Sequence, residues 1–282
     1  MVDQVSSRRD VLVRGTRRDD GTVVEVAPGI EGWWEHIGFR VERLPAGKSF
    51  SGSTGHAEVA IVVIEGTVTV RAGGATWEHV GRRSDPFEGL PYAAYLPADT
   101  SYDVRAETQA EIAICAAPAR EPYDARLISP EDIGVHTRGA GQASRRIHNI
   151  LMTDAPAGSL LLTEIQSPPG NWSSYPPHKH DRDNLPHESQ LEESYYFRVR
   201  PLQGFAFMRV YTDPRTTPPG QEIDQTVTVH DGDVVLVPRG YLVVAAAAQY
   251  DVYYLNVLAG PKRQLVMSFD PDHEWIMKGW TW

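Results

Sequence analysis

One cysteine stands in 282 residues, so no internal disulfide can staple the chain and its fold must be held by burial and hydrogen bonding. That residue, Cys115, sits in the apolar run Ile112-Ala113-Ile114-Cys115-Ala116-Ala117 and reads as a small buried hydrophobe, the usual state of a free cysteine. The lack of disulfides agrees with a reducing, cytoplasmic setting. No segment approaches the roughly 20 apolar residues that a membrane-spanning helix needs, and the first 15 residues lack the apolar centre of a signal peptide. Clustered positive charge is scarce too. With 27 Lys and Arg against 37 Asp and Glu, the net charge of -10 argues against nucleic acid as a partner, because phosphate binding needs grouped cations. The short pairs Arg8-Arg9, Arg17-Arg18 and Arg145-Arg146 are flanked by acids or polar residues and read as solvated surface. Helical periodicity is also missing: 24 glycines and 21 prolines cut the chain into short alternating runs, which is an all-β pattern.

The runs fall into two similar series. In the first half, strands are predicted at 38–44, 59–64, 67–72, 93–96, 102–105 and 111–116. The second half repeats the scheme at 159–166, through the histidine-bearing segment near 178, and at 193–199, 205–211, 226–229, 234–237 and 252–257. Each half has a strand, Gly, strand block followed by a proline turn, Leu96-Pro97-Ala98 in one and Val237-Pro238-Arg239 in the other. Two tandem domains are therefore expected, residues 1–125 and 126–282, joined through 117–123, with 127–144 wrapping between them. In the first, His56 and Glu58 alternate correctly for a shared ligand, but a single histidine before an apolar strand is ordinarily a loop residue. No metal is expected there.

The second half carries the chemistry. In Pro176-Pro177-His178-Lys179-His180-Asp181 the histidines stand at i and i+2, so on an extended strand both project to one side. Glu193 begins the next strand, after twelve intervening residues, and completes a two-histidine, one-carboxylate set that suits divalent Mn, Fe, Ni or Zn. By the same alternation Lys179 turns away from the histidines, toward solvent. Farther on, a tight Asp231-Gly232-Asp233 turn leads into an apolar strand and Pro238-Arg239-Gly240. A His-x-His…Glu block followed by Gly-x5-Pro-x-Gly resembles the two signature motifs of the cupin superfamily, small antiparallel jelly-roll barrels with a metal inside.

Longer blocks sharpen the resemblance. Residues 170–181, Leu191-Glu192-Glu193, 204–213, 231–241 and 253–261 together are similar to the 5-deoxyglucuronate isomerase family of myo-inositol catabolism, related to the 5-keto-4-deoxyuronate isomerases. The resemblance covers nearly the whole chain. It implies a bicupin of two tandem antiparallel jelly-roll barrels, the first degenerate, with one divalent metal in the second. It further implies aldose-ketose isomerisation of a 5-deoxyhexuronic acid. The expected partners are a small-molecule sugar acid and other copies of the same chain, with no nucleic acid and no membrane.

Carried onto this sequence, the resemblance gives His178, His180 and Glu193 as metal ligands, plus a fourth histidine directly after Gly240-Tyr241. That position is Leu242, which cannot coordinate an ion. Three explanations stand open: His187, His230 or His273 substitutes; a three-ligand site serves, for this step or for a different one on another small molecule; or the barrel is metal-free and binds carbohydrate. Candidates for the proton-transferring group are Glu192, Tyr175, Lys179 and Asp181. Phe205, Phe207, Arg209 and Tyr211 share one strand face, and if that face looks inward Arg209 can clamp a substrate carboxylate. Arg239 is a further candidate at the barrel mouth, Tyr254 and Asn256 are candidate supporting groups, and Trp275, Trp280 and Trp282 are expected to close a barrel end or a subunit contact.

Overall fold

A computed structural model describes residues 10–16 and 18–278. The predicted all-β class is what it shows: strands pair antiparallel, and among the described residues helical structure is confined to three short 3₁₀ turns. No helix is long and apolar enough to cross a membrane.

The first half builds a six-stranded sheet in the order Arg126–Ile128, Tyr92–Leu96, Ala57–Glu65, Ala110–Pro118, Gly38–Leu44 and Thr22–Val26, and a four-stranded sheet from Ser49–Ser53, Ser101–Ala106, Val68–Ala72 and Ala75–Val80. Their inner faces meet in one core, where Ile61, Val63 and Ile112 pack with Val68, Val70 and Val104. Ala60, Val62 and Ile64, on the opposite face of the same central strand, enter a second and larger core. A strand buried on both sides needs an unbroken apolar run rather than alternation, which is why residues 59–64 are so rich in β-branched side chains.

That larger core extends into the second half. Its seven-stranded sheet runs Leu12–Val13, Val234–Val237, Glu192–Arg200, Asp251–Ala259, Leu161–Ser167, Arg145–Leu151 and Gly134–Arg138, beside a five-stranded sheet of Asp224–Val229, Ala206–Tyr211, Tyr241–Ala246, Trp172–Lys179 and Ser268–Phe269. The expected division at residue 125 is crossed in both directions. Leu12 and Val13 pair with Val235 and Val234, so the start of the chain belongs to the second sheet system, while Arg126–Ile128 pairs back with Ala93–Tyr95. Within the stretch 127–144, Leu127 and Ile128 pair with the first half and Gly134–Arg138 with the second.

Buried polar groups fasten the halves together. Glu58 is fully buried, and its carboxylate accepts from the Tyr95 hydroxyl at 2.7 Å and from the backbone N–H groups of Gly158, Ser159 and Leu160 at 2.7, 2.6 and 2.6 Å. Cys115 is buried as expected. Trp275 is exposed, and Trp280, Trp282, Arg8, Arg9 and Arg17 lie outside the described residues.

Candidate active site

The histidine strand is irregular for a reason visible in its sequence. Trp172 and Ser173 pair with Ala245 and Val244, and His178 pairs with Leu242, but the register shifts between these two points. Pro176 and Pro177 fall in the gap, where the missing N–H donors cost no ladder bond. Beyond the gap His178 and His180 turn to one side, their ring centroids 6.1 Å apart. Glu193 arrives from the neighbouring sheet. All three line a cavity of about 110 Å³, together with Tyr175, Tyr195 and Asn256.

The two histidines are set differently. His180 Nδ1 lies 3.0 Å from the Leu191 carbonyl oxygen and can only donate there, which leaves Nε2 facing Glu193 Oε2 at 3.0 Å. A neutral imidazole would present a lone pair to a carboxylate oxygen in that arrangement, so a positive charge belongs at this point, either a proton or a cation. Burial alone would lower the His180 pKa, yet the hydrogen bond and charge of Glu193 outweigh it and hold the imidazole above its usual range. His178 goes the other way. Desolvation, helped by His180 and Arg145, pushes it down to about 3 and leaves it neutral, with a hydrogen bond to the Pro176 backbone. Each ring is therefore tied to the backbone through one nitrogen, the supporting pattern typical of metal-ligating histidines.

The donor set fits a divalent cation by its chemistry, though among the described residues no three His, Cys, Asp or Glu side chains are already drawn into a closed cluster. Leu242 lies opposite His178 in register, fully buried within the apolar core. None of the three alternative histidines lines the cavity: His187 and His230 are exposed and His273 is half-buried elsewhere. The fourth corner is aliphatic.

Other candidates separate by strand face. Tyr175 lines the cavity. Glu192, one residue from Glu193, points the opposite way and accepts from the backbone N–H of Glu35 at 2.6 Å and His36 at 2.9 Å. Burial raises its pKa, but it lies in a separate groove beside Arg239, which donates to the Gly32 carbonyl and to Gln221. The strand Ala206–Tyr211 turns Ala206, Met208 and Val210 inward, so the aromatic-arginine face looks out. Arg209 pairs with the Asp224 carboxylate at 2.9 Å and lies over the Tyr211 ring, whose hydroxyl donates to Asp270 at 2.7 Å. Neither Arg209 nor Tyr211 reaches the histidine cavity. Lys179 does turn away from the histidines, but into a buried pocket rather than into solvent, bridging Asp181 at 2.6 Å and Glu188 at 2.7 Å.

Three cavity groups escaped the sequence reading. Tyr195 shares the Glu193 face two residues on, and its buried hydroxyl lies 3.2 Å from Ser174 Oγ. Desolvation and the nearby Glu193 charge raise its pKa well above the ordinary phenol range, so it stays a proton carrier. Period-two counting from Glu193 would have found it. Arg138 and Arg145 line the same cavity, and Arg145 is buried, against the solvated reading of Arg145-Arg146.

Comparison with known proteins gives one consistent answer. Residues 11–276 match the model of the KduI/IolB family. A 5-deoxy-glucuronate isomerase of Geobacillus kaustophilus (strain HTA426) is 49% identical over 271 residues, 96% of either chain. The 5-deoxy-glucuronate isomerase of Bacillus subtilis (strain 168) is 43% identical, over 86% of this chain and 88% of its own. The crystal structure of an IolB-like protein from Salmonella typhimurium LT2 superposes with a TM-score of 0.89 at 41% identity, covering 95% of this chain and 99% of that one. An oxalate decarboxylase from Lactobacillus farciminis, 12% identical with a TM-score of 0.62 over 92% of this chain and 88% of its own, shares the fold alone.

Proposed function

This chain belongs to the KduI/IolB family and is an isomerase, and we propose that it interconverts the aldose and ketose forms of a deoxyuronic sugar acid with one divalent metal. The observation that carries this reading is the convergence of His178, His180 and Glu193 on one cavity, with His180 Nε2 and Glu193 Oε2 arranged so that a positive charge must stand between or beside them. Those three residues would hold the ion. When bound, it supplies Lewis-acid polarisation to the adjoining carbonyl and hydroxyl oxygens of a sugar. We read the sheet pairs of the two halves as two cupin units, the second of which holds the site.

The chain's own groups do the rest. Isomerisation takes a proton from one carbon and returns it to the next, so a group on the cavity wall must carry it within hydrogen-bond reach. Of the four residues proposed for this on sequence grounds, Tyr175 alone lines the cavity, and its hydroxyl is the group we assign to proton transfer. Tyr195, kept protonated by burial and by Glu193, holds that carboxylate in place from the same strand face. Tyr254, whose hydroxyl donates to Ser173 Oγ at 2.7 Å, braces the wall behind.

Elemental analysis and turnover together test the reading. The purified protein is expected to carry about one divalent ion per chain and to isomerise 5-deoxyglucuronate, with activity lost on chelation and restored by the same ion. A metal-replete protein that leaves this sugar unchanged would favour a different step on another small molecule, and a protein that never retains metal would favour a carbohydrate-binding barrel. For Tyr175→Phe, the expected result is a fall in kcat of about 10²- to 10⁴-fold with metal content unchanged, the span usual for loss of a positioned acid-base group. A kcat near wild type would remove Tyr175 from the chemistry.

A further inference from the structure

Three arginines are buried among the described residues, and two of them have acids to match. Arg83 is bonded through both terminal nitrogens to Glu164, and Arg198 meets Glu111, Asp231 and Glu65. Arg145 has no such partner among the described residues. At 8% exposure its side chain makes one hydrogen bond, from Nη1 to the Ala143 carbonyl at 3.2 Å, and the ionisable groups that interact with it are Tyr254, Tyr195, His178 and a second arginine. That second arginine, Arg138, lies directly across the antiparallel ladder from it and likewise makes no ion pair with a described carboxylate. Like charges set opposite one another in a sheet destabilise it, and a buried charge without a counter-ion is costly to fold around.

This pair faces the cavity that holds His178, His180 and Glu193. Burial, opposed in part by neighbouring tyrosines and assisted by Arg138, holds Arg145 below the usual guanidinium range, as expected of a cation short of anions. The backbone makes room for it as well: Gly139 has a left-handed φ of +79°, and a Cβ there would lie 2.7 Å from Arg145 Nη1 and 2.2 Å from the Ala143 carbonyl oxygen. We propose that Arg145, with Arg138 beside it, is the anchor for the carboxylate of the sugar acid, the two guanidinium groups gripping that end so that the carbonyl end lies against the histidines. The proposal rests on the isomerase reading for its substrate class. It explains why a desolvated, unmatched arginine is kept: the missing counter-ion is the ligand. Guanidinium is suited to the task because its planar fork meets a carboxylate through two parallel hydrogen bonds.

Binding measured without turnover separates this idea from the isomerase reading. D-Glucuronate and the uncharged D-glucose are titrated calorimetrically into wild type, Arg145→Met and Arg145→Lys, alongside thermal unfolding of each. Arg145→Met is expected to bind glucuronate about 10- to 100-fold more weakly than wild type, while glucose binding stays the same and the melting temperature is unchanged or higher. Arg145→Lys should fall between, since it keeps the charge and loses the fork. Arg138→Met, at the less buried position, should weaken glucuronate binding by a smaller factor. This pattern supports the anchor even if no isomerase activity is found, in which case the isomerase reading alone fails. Equal glucuronate binding in wild type and Arg145→Met, including no binding by either, would overturn it, as would a fall in melting temperature without selective loss of the charged ligand.

Discussion

Replacing His180 with alanine is expected to abolish most activity, lowering kcat/KM by about 10²- to 10³-fold or more, the range seen when one preorganised electrostatic group is removed from an active site. The size follows from what the ring does in the structure. Its Nδ1 is fixed by the Leu191 carbonyl and its Nε2 meets Glu193, so a single truncation removes a proposed ligand and leaves a buried carboxylate without its partner. Metal retention should fall with activity, because the aliphatic Leu242 offers no replacement at the remaining corner. His180→Gln is the useful companion variant, since its amide can still donate toward Leu191 or Glu193 but offers no imidazole. Steady-state kinetics and metal content of both would check this. Wild-type turnover by His180→Ala would mean that the cavity is not where the reaction occurs.

Much of this site was legible because strand geometry is so regular. A spacing of i and i+2 predicts that His178 and His180 share a side, and the same rule assigns Glu193 and Tyr195 to one face and Glu192 to the other. The all-β class was equally accessible, since the runs at 38–44 and 234–237 coincide with observed strands. What could not be read was which face of an alternating strand turns inward. On Ala206–Tyr211 the inward side is the aliphatic one, Ala206, Met208 and Val210, so the large aromatics and Arg209 that looked like a binding surface belong to the outside. A chain gives no warning of this when both faces carry apolar groups.

Long-range partnership was hidden for a related reason. Lys179 appeared destined for solvent because alternation turned it from the histidines, but the opposite side is itself buried, closed by Glu188 from the following hairpin and by Asp181. Arg145 and Arg138 stand seven residues apart and look like isolated surface charges until the ladder between Gly134–Arg138 and Arg145–Leu151 sets them opposite each other over the cavity. The exchange of Leu12–Val13 into the second sheet is a contact across more than 200 residues, and two apolar residues carry no local sign of it. The charged residues hardest to place from sequence here are those whose counter-charges lie far off along the chain, as Glu164 lies from Arg83.

The largest expected change in stability comes from such a long-range group, Glu164. Its carboxylate is completely buried between the halves of the chain, receiving both terminal nitrogens of Arg83 at 2.8 and 2.9 Å, His148 Nδ1 at 2.7 Å and the Tyr253 hydroxyl at 2.9 Å. Glu164→Ala would leave Arg83 buried without a counter-charge, and breaking a buried pair in this one-sided way costs about 3–5 kcal/mol. Glu164→Gln keeps the shape and part of the hydrogen bonding, so its loss should be smaller. Burial by itself would raise the Glu164 pKa, but Arg83 and His148 overcome that and hold it below the ordinary glutamate value. The sign of the pH dependence follows: a carboxyl depressed in the folded state contributes in full above its unfolded value near 4.5, and the contribution fades as pH falls from there through the folded value. Denaturant unfolding should therefore show the gap between wild type and Glu164→Ala widest near neutrality and narrowing in acid. A gap that is small at pH 7 would mean that this buried network follows the packing between the halves instead of holding them together.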